Sequence, residues 1–208
     1  MKYLRMFLVL SLTLFLLSAC IGPERQRESI AYYTLDYEPP VFDGLDQLPF
    51  SIKLKRFSIS PLYNSSQIIY SDSRFKRDPY VYHRWRSNPR DTATYMIARD
   101  MSRSGIFAAV GGPESHLSHS HTLEGSVDEF VEVDNESEWK ARLSITITLL
   151  KKDEPDISRR VLMTRNYSTS CKLRRKHPGA LAEAMSEAMS RLSGRMIRGI
   201  HDALLKSL

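Results

Sequence analysis

The thiol placed for a defined reaction is Cys20. It follows Leu17-Ser18-Ala19 at the point where an apolar run stops. That tetrad fits the lipobox pattern at all four positions, where the sulfur takes up a diacylglycerol before a peptidase cuts ahead of it. A second candidate chemistry is imidazole ligation by His116, His119 and His121. Three imidazoles suffice for zinc, and residues two apart share a strand face. The serine-rich segment that holds them follows Gly111-Gly112-Pro113 and reads as a solvated loop, so no metal is expected. The acids Asp128, Glu129, Glu132, Asp134 and Glu136 cluster around a turn without calcium-loop spacing and read as solvated strand faces. The run Lys172, Arg174, Arg175, Lys176 could instead meet lipid phosphates or an acidic partner. Tyr63, in a Pro-Leu-Tyr-Asn loop, is a further candidate contact.

Nothing else assembles into a catalytic set. There is no Gly-x-Ser-x-Gly elbow, phosphate loop, His-Glu-x-x-His or metal-spaced cysteine pair. The expectation is therefore a protein that is not an enzyme and needs no cofactor. The 208 residues carry a net charge of +6, which falls to about +4 once Lys2 and Arg5 leave with the leader. That surplus is too small for a nucleic-acid binder, and no nucleic-acid partner is expected. With Cys20 acylated, Cys171 has no partner for an internal disulfide and reads as a small buried thiol.

The elements that must position these residues follow from periodicity. Residues 6–17 form an apolar run after Lys2 and Arg5, shorter than the roughly 20 residues a membrane helix needs. Residues 1–19 thus read as a signal peptide, 20–29 as a lipidated tether and 30–208 as one domain. Ile21 after the cysteine, in place of a retaining aspartate, points to the outer membrane with the domain facing the periplasm. Strands are expected over 30–37, 50–60 (with a bulge where the apolar phase shifts to Phe57 and Ile59), 67–70, 80–85 and 106–110. In the second half Leu123, Gly125, Val127, Val131 and Val133 are assigned one face of a long strand. Residues 139–149 alternate without a break, and Val161, Met163, Tyr167 and Cys171 repeat the pattern. Ser87 or Asn88 as cap, with Pro89 and Asp91, opens a helix that Gly105 stops, and Pro178 opens a long amphipathic helix that Gly194 could bend. Strands, helix, strands, helix make an α+β domain with a largely antiparallel sheet and two helices packed on one face.

With the lipobox, Tyr32-Tyr33-Thr34-Leu35, Ser60-Pro61-Leu62-Tyr63, Gln67-Ile68-Ile69-Tyr70, the Trp85 segment entering a helix, and Leu123-Glu124-Gly125-Ser126-Val127 before a long hairpin, the chain resembles the ABC-type transport auxiliary lipoproteins. These are the third component of paraquat-inducible and related MCE lipid-transport systems. The resemblance implies a non-catalytic accessory that docks onto an MCE-domain protein and its ABC permease and ATPase, held to the membrane by its lipid. A homo-oligomer is compatible with it. Two alternatives stand beside this one: an outer-membrane assembly or cell-wall accessory lipoprotein, and a small periplasmic metal-dependent enzyme using the histidine loop.

Overall fold

The structure, a computed structural model, describes Tyr3, residues 29–135 and residues 138–208. The lipobox and nearly all of the tether lie outside the described residues. The elements in chain order are β1 (Ala31–Tyr33), β2 (Leu48–Leu54), β3 (Ser58–Ile59), a 3-10 turn (Pro61–Tyr63), β4 (Gln67–Ser71), β5 (Asp78–Trp85), α1 (Pro89–Arg103), β6 (Phe107–Gly111), β7 (His121–Asp134), β8 (Trp139–Lys151), α2 (Ile157–Arg160), β9 (Val161–Lys172) and α3 (Pro178–Leu205).

β7 is the spine of one sheet. Along one edge it pairs antiparallel with β8 over its whole length, and β8 pairs antiparallel with β9. Along the other edge it receives three short parallel strands in succession: β2 at residues 121–123, β3 at 126–127 and β4 at 132–133. β6 then adds to β2, and β5 and β1 extend the sheet beyond β4. The long ladders are antiparallel, as expected, while the short strands make the sheet mixed. The domain is α+β.

β8 behaves as its alternation requires. Ala141, Leu143, Ile145, Ile147 and Leu149 are fully buried. β7 departs from the expected phase. A bulge between Val127 and Glu129 reverses its alternation, so that Phe130, Glu132 and Asp134 pair with Leu143, Ala141 and Trp139 on the helix-covered face. Val131 and Val133 therefore point to the opposite face from Leu123 and Val127, correcting the single-face assignment. Asp128, at the bulge, turns outward and accepts hydrogen bonds from Thr146 Oγ1 (2.6 Å) and Asn166 Nδ2 (3.1 Å). Gly125 has a packing reason. A Cβ there would lie 2.7 Å from the Phe57 ring, which sits on the bare backbone.

The helices start and stop as their sequences dictate. Asn88 caps α1 by accepting from the Arg90 amide (2.9 Å), Pro89 takes the first turn, and Gly105 ends the segment at φ +68°. α3 runs unbroken through Gly194, packs over β8 and β9, and touches α1. α2, unanticipated from the sequence, is one turn capped by Asp156 between β8 and β9.

β1 is shorter than the expected 30–37 strand because the chain leaves the sheet after Tyr33 to strap the helices. Leu35 is buried, the Asp36 amide donates to Ser186 Oγ (3.0 Å) on α3, and Tyr37 donates to Asp100 Oδ2 (2.7 Å) on α1. These bonds, and the buried Leu35 just ahead of them, hold the segment on the helices rather than on the sheet edge.

Candidate functional site

Several of the charged residues singled out above converge on one end of the sheet, for topological reasons. β7 ends there and β8 begins, with Asp134 opposite Trp139. β9 also ends there, with Lys172 opposite Lys140, and α3 starts a few residues later. β4 runs parallel to β7, with Ser71 opposite Val133, so the β4–β5 turn projects past the same end. β5 runs back from it, and β1, parallel to β5, enters the domain from the same direction.

That run is fixed in place. Leu173 is buried in its middle, and its amide donates to the Trp139 carbonyl (2.8 Å). Lys176 pairs with Asp134 and stands 5.9 Å from the Trp139 ring centroid; the carboxylate bond pushes its pKa up. Lys172 lies 3.5 Å from Glu138, which also binds Lys140, and the lysines hold the Glu138 carboxyl below its usual range. Arg174 and Arg175 are exposed and form no ion pair among the described residues. Lys172 and Arg174 line a surface groove with Glu183 and Glu187 of α3. Of the four cations, two are committed to carboxylates and the two arginines are presented outward.

Behind this surface lies a buried acid that sequence reasoning had assigned to a solvated face. Glu132 is wholly buried, the consequence of the β7 bulge. Tyr80 donates to its Oε2 (3.0 Å), and Oε1 has no partner among the described residues. Burial drives the Glu132 pKa up, the Tyr80 bond pulls it down, and Asp134 pushes it up again. Tyr80 is itself raised, first by burial and then by Glu132. An aromatic row continues outward: Tyr70 to Tyr80 at 5.0 Å, Tyr80 to His83 at 5.8 Å, and His83 to Tyr33, whose hydroxyl lies 3.1 Å from Nδ1.

The folded pKa of Glu132 lies above its unfolded value, so folding favours the protonated acid and the ionised form is penalised. Tyr80→Phe removes the hydroxyl that serves the ionised form, so it should cost about 1.5–3 kcal/mol at neutral pH. The loss should shrink as pH falls through the raised folded pKa and Glu132 takes a proton in both proteins. Urea melts from pH 8 to 4 check this; a gap that stays constant with pH would remove Glu132 from the explanation.

The other candidates separate. Tyr63 is 4% exposed and belongs to the core; its neighbour Leu62, at 61%, takes the exposed position of the turn. Proline fixes the turn, and the apolar ring goes inward rather than to a partner, so Tyr63 offers no contact surface. His121 is buried edge-on to Phe50 (4.9 Å), with Nδ1 at 2.9 Å from Ser120 Oγ, and burial lowers its pKa. His119 sits beside the Leu117 carbonyl, and His116 is exposed. Among the described residues no three His, Cys, Asp or Glu side chains are placed to hold a metal ion. Cys171 is buried as expected, which raises its pKa. No described helix is long and apolar enough to cross a membrane. Cys20 lies outside the described residues. Missed by the sequence reading were Glu132 and Tyr80, for which a bulge-shifted phase is the only signal.

The fold is shared with solved structures. A Xanthomonas campestris protein of the DUF330 family superposes with TM-score 0.77 at 16% identity, covering 85% of this chain and 98% of its own. A hypothetical protein from Chlamydia trachomatis superposes with TM-score 0.52 at 8% identity, covering 74% and 96%. No curated protein matches the sequence significantly. The family model described as "ABC-type transport auxiliary lipoprotein component" matches residues 33–197, which run from β1 through most of α3. The chain belongs to the ABC-type transport auxiliary lipoprotein family.

Proposed function

We propose that this chain is the docking accessory of an MCE-type ABC lipid-transport system, lipidated at Cys20, held in the outer membrane and facing the periplasm. It acts by contact rather than by turnover. The observation that carries the reading is the placement of Arg174 and Arg175, outward on a loop pinned by Leu173, at the end of the sheet where β7 and β9 finish. Guanidinium groups held on a rigid base suit carboxylate or phosphate partners, because little ordering entropy remains to be lost on binding. The family membership supports association with an ABC transport system.

Reversing Arg174→Glu and Arg175→Glu together should weaken capture of the MCE-domain partner while leaving the melting temperature unchanged, since both side chains are exposed. Wild-type capture should fade between low and high salt, as exposed charges are screened over about 10 Å at 0.1 M. Pull-down at two salt concentrations measures both effects; full capture by the double reversal would defeat the assignment. The anchor has its own test. Metabolic labelling with an acyl-chain probe should mark the wild-type protein and leave Cys20→Ala unlabelled, and equal label in both would place the lipid elsewhere or nowhere.

A further inference from the structure

The β4–β5 turn, residues 72–77, presents Phe75 with 89% of its surface exposed. An exposed phenylalanine in a loose loop would fold back onto the protein, but this loop is braced. Arg77 donates through one Nη to Ser71 Oγ (2.6 Å) and to the carbonyls of Ser73 (3.2 Å), Arg74 (3.4 Å) and Lys76 (2.9 Å). Lys76 bridges Asp72 (3.1 Å) and Asp78 (2.8 Å) across the mouth of the turn. The Arg74 guanidinium lies 5.3 Å from the Phe75 ring centroid. The chain therefore spends a guanidinium and an ion-pair bridge on holding an apolar ring in solvent between two cations.

The exposure continues along the neighbouring edge. β5 sets six residues, Pro79 to Arg84, against three of β4, Gln67 to Ile69, and the surplus pushes Val81 (70% exposed) and Tyr82 (44%) outward. Beside it, Ile30 just ahead of β1 (41%) and Tyr32 on β1 (52%) are exposed as well. β1 is where the tether joins the domain, and the nine residues between Cys20 and Ile30 reach at most about 30 Å.

We infer that the β4–β5 turn is a membrane wedge: Phe75 enters the headgroup boundary of the bilayer that holds the lipid anchor, with Arg74 at the lipid phosphates. The inference rests on the proposed Cys20 anchor. An apolar tip beside an exposed arginine, its neighbouring lysine already balanced by two aspartates and tyrosines set back from it, is a composition that partitions into an anionic interface. A protein partner would bury such a tip in an apolar pocket, and the Arg74 guanidinium beside it would lose water without gain. Docked this way, the domain is held at two points, lipid and wedge, and its orientation over the membrane is set.

The test uses the acylated protein in vesicles of phosphatidylethanolamine and phosphatidylglycerol. Phe75→Cys and Leu205→Cys each carry a polarity-sensitive fluorophore, and Cys171 is too buried to compete for label. Leu205 ends the 28-residue α3, about 42 Å from its start, and is exposed at the far end of the domain. The label at 75 should shift to shorter wavelength and be quenched by lipids brominated near the headgroup, at a depth of about 5–10 Å. The label at 205 should do neither. A silent label at 75 on protein that sediments with the vesicles overturns the wedge and leaves the anchor standing. Acylated protein that fails to sediment overturns the anchor, and the wedge with it. If Phe75→Asp instead abolishes capture of the MCE-domain protein while the label at 75 stays silent, the turn is a protein contact and the inference is wrong.

Discussion

Ile145→Ala is expected to lower folding stability by about 2–5 kcal/mol, and Ile147→Ala by a similar amount. Both side chains have no exposed surface. Ile145 is flanked in register by Val127 on β7 and Tyr167 on β9, and α3 closes the face above them. Truncation leaves a void lined from three sides by regular structure, which collapses poorly, so the cost should sit well above the transfer term alone. Thr146, between them in sequence, points to the other face, where its hydroxyl donates to Asp128 Oδ2. Asn166 continues to serve Asp128 when that hydroxyl is gone, so Thr146→Ala should cost only about 1 kcal/mol. Denaturant melts of the three variants decide it. Equal small losses would mean that β8 is not the centre of the core.

Arg99→Met should cost about 3–5 kcal/mol, the loss typical of stranding a buried charge. Asp100 has no exposed surface and receives three contacts: Arg99 Nε at 2.9 Å and Nη2 at 2.8 Å on Oδ1, and the Tyr37 hydroxyl at 2.7 Å on Oδ2. The guanidinium also lies 4.5 Å from the Tyr37 ring centroid. Methionine keeps most of the aliphatic stem and removes the charge, so the loss reads the carboxylate's isolation rather than lost packing. The double variant Arg99→Met/Asp100→Leu should recover much of the loss, because replacing a buried pair by apolar groups is often close to neutral. Thermal melts of single and double variants measure the recovery. A double variant as unstable as the single one would show that the strap itself, not the charge, had been broken.

What the sequence made legible depended on whether the governing rule was local. The β8 alternation, the Asn88-Pro89 helix start, the Gly105 stop and the Pro178 helix could be read because each is decided within a few residues. The β7 faces could not. A bulge is set by how two strands meet, and Val131 and Val133 are apolar on either phase. The same slip hid Glu132, since an acid one residue before a valine in a charged stretch carries no mark of burial. The end of β1 was illegible for a related reason: Leu35, Asp36 and Tyr37 read as more strand, and their partners, Ser186 and Asp100, lie on helices far along the chain. The basic run was visible from its composition alone. That Leu173 would anchor it and leave two arginines outward required the third dimension.

The three short strands along one edge of β7 have a consequence for timing. β2, β3 and β4 are synthesised before β7, the strand they must lie against; β4 can close a hairpin with β5 and β2 can pair with β6, but the two pairs have nothing to join them until β7 exists. β7, β8, β9 and α3 form a continuous C-terminal stretch, 121–205, linked by short turns with pairings near in sequence. Such local pairings close quickly, whereas distant ones wait for their template. The N-terminal pairs can therefore form early, yet β2, β3 and β4 join into one sheet only after β7 emerges. A chain of this design cannot mature from its N-terminus forward as it is released. Until the spine arrives, the β7-facing edges of β2 and β4 stay unpaired.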